Sequence, residues 1–184
     1  MSIITIKSAV PKDLIDSWSS VIERIPSRQG QTVDKSSSSG ISNNYDVRSC
    51  ETRFVTFNHH RKFYLDIVNN IYPFIDFYQY AFDVQLYRVL EIQHSTYFEN
   101  DHHAKHIDTI FNNNTPRHRK ISLVLMLSDK SEYSGGELII NDENVNLDRG
   151  DIVIFKPTSF HSVEKVQRGV RKTLVMWALG PHWR

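Results

Sequence analysis

Cysteine occurs once in this chain, at Cys50, so no disulfide can close within it and a reducing compartment is the expected setting. No apolar run approaches the roughly 18 residues that a membrane span requires. An excess of either charge is also missing. With 22 Lys and Arg against 21 Asp and Glu, the sequence offers no electrostatic case for nucleic acid or an anionic membrane as partner. The opening MSIITIKSAVPKDL has no small-residue cleavage site after its short apolar run, so no signal peptide is expected there. Repeats at solenoid periods are absent as well. What the chain does have is 184 residues with 40% hydrophobic side chains, enough to bury a core without staples. The expectation is one intracellular, cytoplasmic domain over residues 1–184.

Ser2 to Lys7 alternates weakly and is expected to form a strand. Pro11 stands where a first helical turn accepts proline. Leu14, Ile15, Trp18, Val21, Ile22 and Ile25 follow at helical spacing, and Pro26 is expected to end that helix. Residues 27–46 include Ser36 to Ser39 and few apolar side chains, and predict a flexible loop that is either a flap or binding loop or a plain disordered insertion. ETRFVTF (51–57) is strand-like. Asn58 is expected to cap a second helix carrying Phe63, Tyr64, Ile67 and Ile71, with Pro73 ending it and a short turn following. From residue 84 the runs VQLYRVLEIQ, KISLVLML, GELII, DIVIFK and RKTLVMWAL are short and β-rich. Helices first and many short strands afterwards predict an α+β, mainly β fold: a sandwich or barrel with helices buttressing one sheet.

The histidines crowd into HHAKHID (102–108). If AKHID is a strand, its two-residue period puts His106 and Asp108 on one face. A third ligand is then expected from another strand, and His161 in IVIFKPTSFHSV is the candidate. Two histidines and a carboxylate on one face of an octahedron leave three positions open, which suits non-haem Fe(II) with a chelating cosubstrate and O2. A closed structural zinc site would need four ligands, and Cys50 alone cannot supply the thiolates. Ten residues beyond His161 stands Arg171, able from the next strand to offer a cavity a guanidinium for a carboxylate. The rival pattern, His102 and His106 sharing a helical face, conflicts with Asn112–Asn114 and the β-rich surroundings.

In order, the chain carries YFENDHHAKHID, RKISLVLMLSD, YSGGELII, LDRGDIVIFKPTSFHSV and RGVRKTLVMWALGP. This series resembles the Fe(II)- and 2-oxoglutarate-dependent dioxygenases, in particular the prolyl 4-hydroxylase-like (PKHD-type) branch, over roughly residues 84–184. The resemblance implies a double-stranded β-helix (jelly roll) core over 84–184, with residues 1–83 as a buttress. It implies Fe(II) on His106, Asp108 and His161, and Arg171 on the far carboxylate of 2-oxoglutarate. Tyr97 would stand near the cosubstrate and Trp177 would line the pocket. The implied reaction hydroxylates an unactivated C–H bond while 2-oxoglutarate and O2 give succinate and CO2, with ascorbate as an accessory reductant. The implied substrate is a prolyl residue of a protein or peptide; the alternatives are a free amino acid or another side chain.

The chain departs from the family at three points. Asn100 or Asp101 replaces the usual turn glycine, and both residue types tolerate left-handed backbone. His103 stands where an aromatic pocket wall is more usual. Met126 falls where some relatives have a tyrosine beside the basic residue. Gly135 and Gly136 are expected to shape a bend, Asp151 to serve turn chemistry, and Arg117 and Arg119 to lie in a solvated loop. His102 is expected near the entrance, and His59, His60, His94, His118 and His182 at surface or packing positions. Two rival functions remain: a jelly-roll binding module without catalysis, and a cupin-like metalloenzyme that uses O2 without 2-oxoglutarate.

Overall fold

In the computed structural model, described for residues 3–33, 41–42, 44–82, 84–108 and 117–182, the apolar pattern resolves into two principal sheets and a helical layer. In chain order these are β1 (Ile3–Ile6), α1 (Lys12–Ile22), β2 (Arg28–Gln29), β3 (Thr32–Val33), β4 (Ile41–Ser42), β5 (Arg48–Ser49), β6 (Glu51–Val55) and α2 (Phe57–Phe82). Then come β7 (Leu90–Tyr97), β8 (His102–His106), β9 (His118–Met126), a 3-10 turn at Lys130–Glu132, β10 (Tyr133–Gly135), β11 (Leu138–Ile140) and β12 (Glu143–Val145). The last four strands are β13 (Ile152–Phe155), β14 (His161–Val163), β15 (Val166–Gly169) and β16 (Arg171–Gly180). A seven-stranded sheet runs β1-β13-β9-β16-β7-β6-β2, a five-stranded sheet runs β12-β11-β14-β8-β5, and β3-β4 and β10-β15 form two small ribbons. The architecture is the expected jelly roll, mainly β. Strands from the first 55 residues extend both large sheets: β1 on β13, β6 on β7 and β5 on β8.

Strands buried on both faces read as continuous apolar runs, and SLVLML in β9 does so because its two faces serve two cores. Ile121, Leu123 and Leu125 pack with Ile152, Ile154, Leu174 and Met176 against Trp18, Ile67, Ile71 and Ile75 of the helices. Val124 and Met126 point the other way, joining Val153, Phe155, Leu138 and Val163 between the sheets. The fully buried Ile15, Trp18 and Ile22 confirm the period read for α1. Its boundaries differ from expectation: Pro11 takes the cap position and the helix stops at Ile22, before Pro26.

Three other expectations are corrected. Pro73 does not end the second helix. α2 continues to Phe82, and its irregularity sits instead at His60 (φ −132°, ψ 38°). An interior proline costs about 3 kcal/mol, but Ile75 and Tyr78 beyond it are fully buried, and burying each contributes about 1.5–3 kcal/mol. Packing therefore outweighs the lost backbone bond. Asn58 lies inside the first turn of α2 rather than capping it. The 27–46 segment is not a featureless loop, since β2, β3 and β4 fall within it; its residues 34–40 and 43 lie outside the described residues. No helix among the described residues is long and apolar enough to cross a membrane.

His94 on β7 is 2% exposed. Burial, with Arg53 and Lys172 adding to it against Glu23, pushes this imidazole from 6.5 down to about 4. The unfolded chain takes up this proton near pH 6.5 and the folded chain resists until about pH 4. Stability from this group is therefore complete above pH 6.5 and is lost as pH falls through 4, an effect of about 3 kcal/mol at most. Urea unfolding at pH 7 and pH 4.5 should show a smaller acid loss in His94→Gln than in the parent chain. An equal loss in both would assign the effect to other groups.

Candidate metal centre

β8 and β14 are antiparallel neighbours with His106 directly opposite His161, so residues 55 positions apart in sequence meet by sheet register. Asp108 stands two residues past His106, in a bend beyond the end of β8 rather than within a strand. Its backbone N–H donates to the Pro157 carbonyl at 2.8 Å, which fixes where the carboxylate emerges. Asp108 Oδ1 lies 3.7 Å from His106 Nε2, and Oδ2 lies 3.5 Å from His161 Nε2. One ligand atom from each of the three residues falls within 4.8 Å of the others. The predicted trio does converge.

The ring orientations suit ligation. His106 Nδ1 bonds the Ala104 carbonyl at 2.8 Å, and His161 Nδ1 bonds the Ser159 carbonyl at 3.0 Å. A carbonyl only accepts, so both Nδ1 atoms carry the proton and both Nε2 lone pairs face Asp108. Burial, reinforced by His161, lowers His106 to about 4 although Asp108 pulls the other way; the imidazole is neutral at pH 7, as a ligand must be. Burial alone would raise the Asp108 carboxyl. His161, His106, Arg119 and the Ser122 hydroxyl outweigh that and hold it below its ordinary value. Ser122 Oγ donates to Asp108 Oδ2 at 2.7 Å.

These groups open on a cavity of about 420 Å³. At its inner end Arg171 is 1% exposed. β16 pairs Arg171 with Tyr97 of β7, and the guanidinium lies 5.4 Å from the Tyr97 ring centre. Burial works against the Arg171 charge, while Tyr97 and Tyr133 support it and Tyr133 hydrogen-bonds it. Among the described residues, the buried Nε and Nη2 atoms of Arg171 have no hydrogen-bond partner. A buried cation with unsatisfied donors is costly unless an anion completes it, and a ligand carboxylate fits that need. Gly136, at φ +66°, leaves the space Arg171 uses: a Cβ there would meet Arg171 Cδ at 2.8 Å.

The remaining predicted residues divide. Tyr97 lines the cavity but its hydroxyl bonds Cys50, and burial pushes its ionisation well up. Trp177 lines the wall with the Arg119 guanidinium 3.7 Å over its ring. His103 lines it too, stacked on His106 at 3.7 Å between ring centres. Met126 does not line this cavity; it faces a second one of about 500 Å³ on the other side of Arg171. His102 is held away, by Ser49 and the Asp46 carbonyl. The helical His102–His106 pattern is excluded because β8 is a strand. Asn100 is left-handed at φ 71°, as the turn requires. Arg119 is corrected: it belongs to β9, pairs with Glu91 at 2.7 Å and donates to the Asp108 carbonyl.

Sequence reasoning missed Tyr133, whose hydroxyl contacts the Met126 sulfur at 3.8 Å. It occupies the ground beside Arg171 that Met126 leaves without a hydroxyl. Its signal was present, since it opens the YSGGELII run. Arg28, Arg48 and Phe54 of the cavity had no such signal, lying in a region without a motif.

A jelly roll with two histidines and one aspartate on one side of a cavity, and a buried arginine at its end, has the residue set of a facial triad, a group that could hold a metal ion with positions left open. Residues 92–179 match the family model of the 2OG-Fe(II) oxygenase superfamily. A PKHD-type hydroxylase of Prochlorococcus marinus is 36% identical over 83 residues, which are 43% of this chain and 37% of that protein. The match thus spans little more than a third of that relative's length. In fold, a Pseudomonas putida prolyl-4-hydroxylase superposes with a TM-score of 0.69 at 16% identity, covering 100% of this chain and 94% of that one. A Trichoplax adhaerens prolyl hydroxylase, solved with a hypoxia inducible factor peptide fragment, gives 0.67 at 12% identity, covering 96% and 83%.

Proposed function

We propose that this chain is an Fe(II)- and 2-oxoglutarate-dependent dioxygenase that hydroxylates an unactivated C–H bond, its substrate a prolyl residue of a protein or peptide. The observation that carries the reading is the pairing of the His106, Asp108 and His161 cluster with a buried Arg171 whose Nε and Nη2 lack partners among the described residues, at two places in one cavity. His106, Asp108 and His161 would hold Fe(II), and Arg171 with Tyr133 would hold the far carboxylate of 2-oxoglutarate. When bound, the iron and cosubstrate supply O2 activation and C–H oxidation, with succinate and CO2 as coproducts. The chain's own part is positional. Ala104 and Ser159 carbonyls orient the two imidazoles, Ser122 orients the carboxylate, and Val124, Leu138, Phe155 and Val163 keep water from the inner cavity. No protein acid or base is required. The prolyl substrate follows the prolyl hydroxylases among the fold relatives, and a peptide suits a cavity with an open mouth. A reducing cell interior goes with the reading, since Cys50 is a free thiol.

The test is incubation of the protein with Fe(II), 2-oxoglutarate, ascorbate and proline-containing peptides, reading succinate and, by mass spectrometry, the gain of one oxygen. Succinate with an oxidised prolyl residue is the expected result. Oxidation of a free amino acid with every proline untouched would reject the prolyl substrate. Absence of succinate under all conditions would reject the dioxygenase reading.

A further inference from the structure

Among the described residues, four arginines line the cavity, Arg28, Arg48, Arg119 and Arg171, against one carboxylate, Asp108. The proposed function, on which the present inference rests, accounts for part of this imbalance. Fe(II), Asp108, the 2-oxoglutarate dianion and Arg171 together cancel. Arg119 is neutralised by Glu91 at 2.7 Å. Arg28 and Arg48 remain, and neither has a carboxylate partner among the described residues.

Arg48 is not a solvated surface cation. It is half-buried on β5 and stands opposite His103 of β8, whose ring stacks on His106. Its Nε donates to Cys50 Sγ at 3.2 Å and its Nη1 to the Gln31 carbonyl at 3.4 Å. Both contacts are with neutral acceptors; they aim the fork without satisfying its charge. Arg28 lies across the mouth with its guanidinium 4.3 Å above the Phe54 ring, a contact that orients the cation and leaves its N–H edge available. A partly desolvated guanidinium presents paired donors whose natural complement is a carboxylate.

We infer that the substrate of this site carries a carboxylate, held by Arg48 and Arg28 beside the carbon to be oxidised. The carboxylate has two sources: the acid group of a free amino acid, or an acidic side chain flanking the target residue in a peptide.

Two matched pairs of probes separate these. One is a short capped proline peptide flanked by glutamates against the same peptide flanked by glutamines; the other is free proline against prolinamide. Binding is measured by calorimetry at low salt, with Mn(II) and saturating 2-oxoglutarate present so that Arg171 is not the anion's partner. The acidic member of one pair should bind about tenfold more tightly or better, the scale of a charge-assisted bond, and the pair showing it identifies the source. Arg48→Gln and Arg28→Gln should each shrink that ratio, and Arg48→Lys, which keeps the charge and loses the fork, should keep only part of it. Arg28 is exposed, so its variant reports even if Arg48→Gln disturbs the packing of Gly30. No acid preference in either pair, or a preference untouched by both glutamine variants, would overturn the inference. An intact, arginine-dependent acid preference in a protein that forms no succinate would instead sink the proposed function and leave the anion site standing.

Discussion

Asp108→Ala should lose metal binding and lower succinate formation by more than about a hundredfold, beyond the 10–100-fold typical of losing an outer-shell partner. The carboxylate is 7% exposed and sits between the Nε2 atoms of His106 and His161, so among the described residues it is the anion there that offsets a dication. Removing it leaves the two imidazoles, a site without its carboxylate charge and with one ligand fewer. Folding should not suffer equally. Asp108 is buried at the expense of its hydration, and its side-chain bond among the described residues is from Ser122. Without metal, the variant's thermal midpoint should therefore stay close to the parent's, while added Fe(II) or Mn(II) should raise the midpoint of the parent alone. Equal metal-induced shifts in both proteins would show that the ion binds elsewhere.

Arg171→Met is expected to separate function from stability in the opposite sense. Truncating one partner of a buried, hydrogen-bonded charge pair costs about 2–5 kcal/mol, which is a rise of about 30-fold or more in the KM for 2-oxoglutarate. Yet Arg171 is a fully buried cation whose Nε and Nη2 lack partners among the described residues. Replacing such a charge by an apolar side chain of similar volume is often neutral or stabilising. The methionine variant should thus unfold at or above the parent's temperature while binding the cosubstrate poorly. Steady-state kinetics with varied 2-oxoglutarate, alongside thermal unfolding, reads both. Unchanged activity would favour the cupin-like rival, in which no distal carboxylate needs holding.

The sequence was sufficient wherever the governing physics was local or periodic. Apolar and β-rich runs predicted β7, β9, β11, β13 and β16, because a strand buried on both faces must be apolar throughout. The short β10, β12 and β15 carry no such pattern. The left-handed turn at Asn100 followed from residue chemistry. His106, Asp108, His161 and Arg171 were legible through their order and spacing, and the resemblance bound those separate signals together.

Tertiary structure decided the rest. Whether Pro73 would break α2 depended on how much apolar surface lay beyond it, a balance of packing against one backbone bond that no local pattern contains. Asp108 leaves the strand before reaching the site, and its position comes from a hydrogen bond to Pro157, 49 residues away in sequence. Tyr133 replaced the expected neighbour of Arg171 because β10 folds across from β15. Arg28 and Arg48 became cavity residues only when β2 and β5 joined the edges of the two sheets. Residue type and period determined which side chains could do chemistry. Sheet register, which brings together residues far apart in sequence, decided which of them share one cavity.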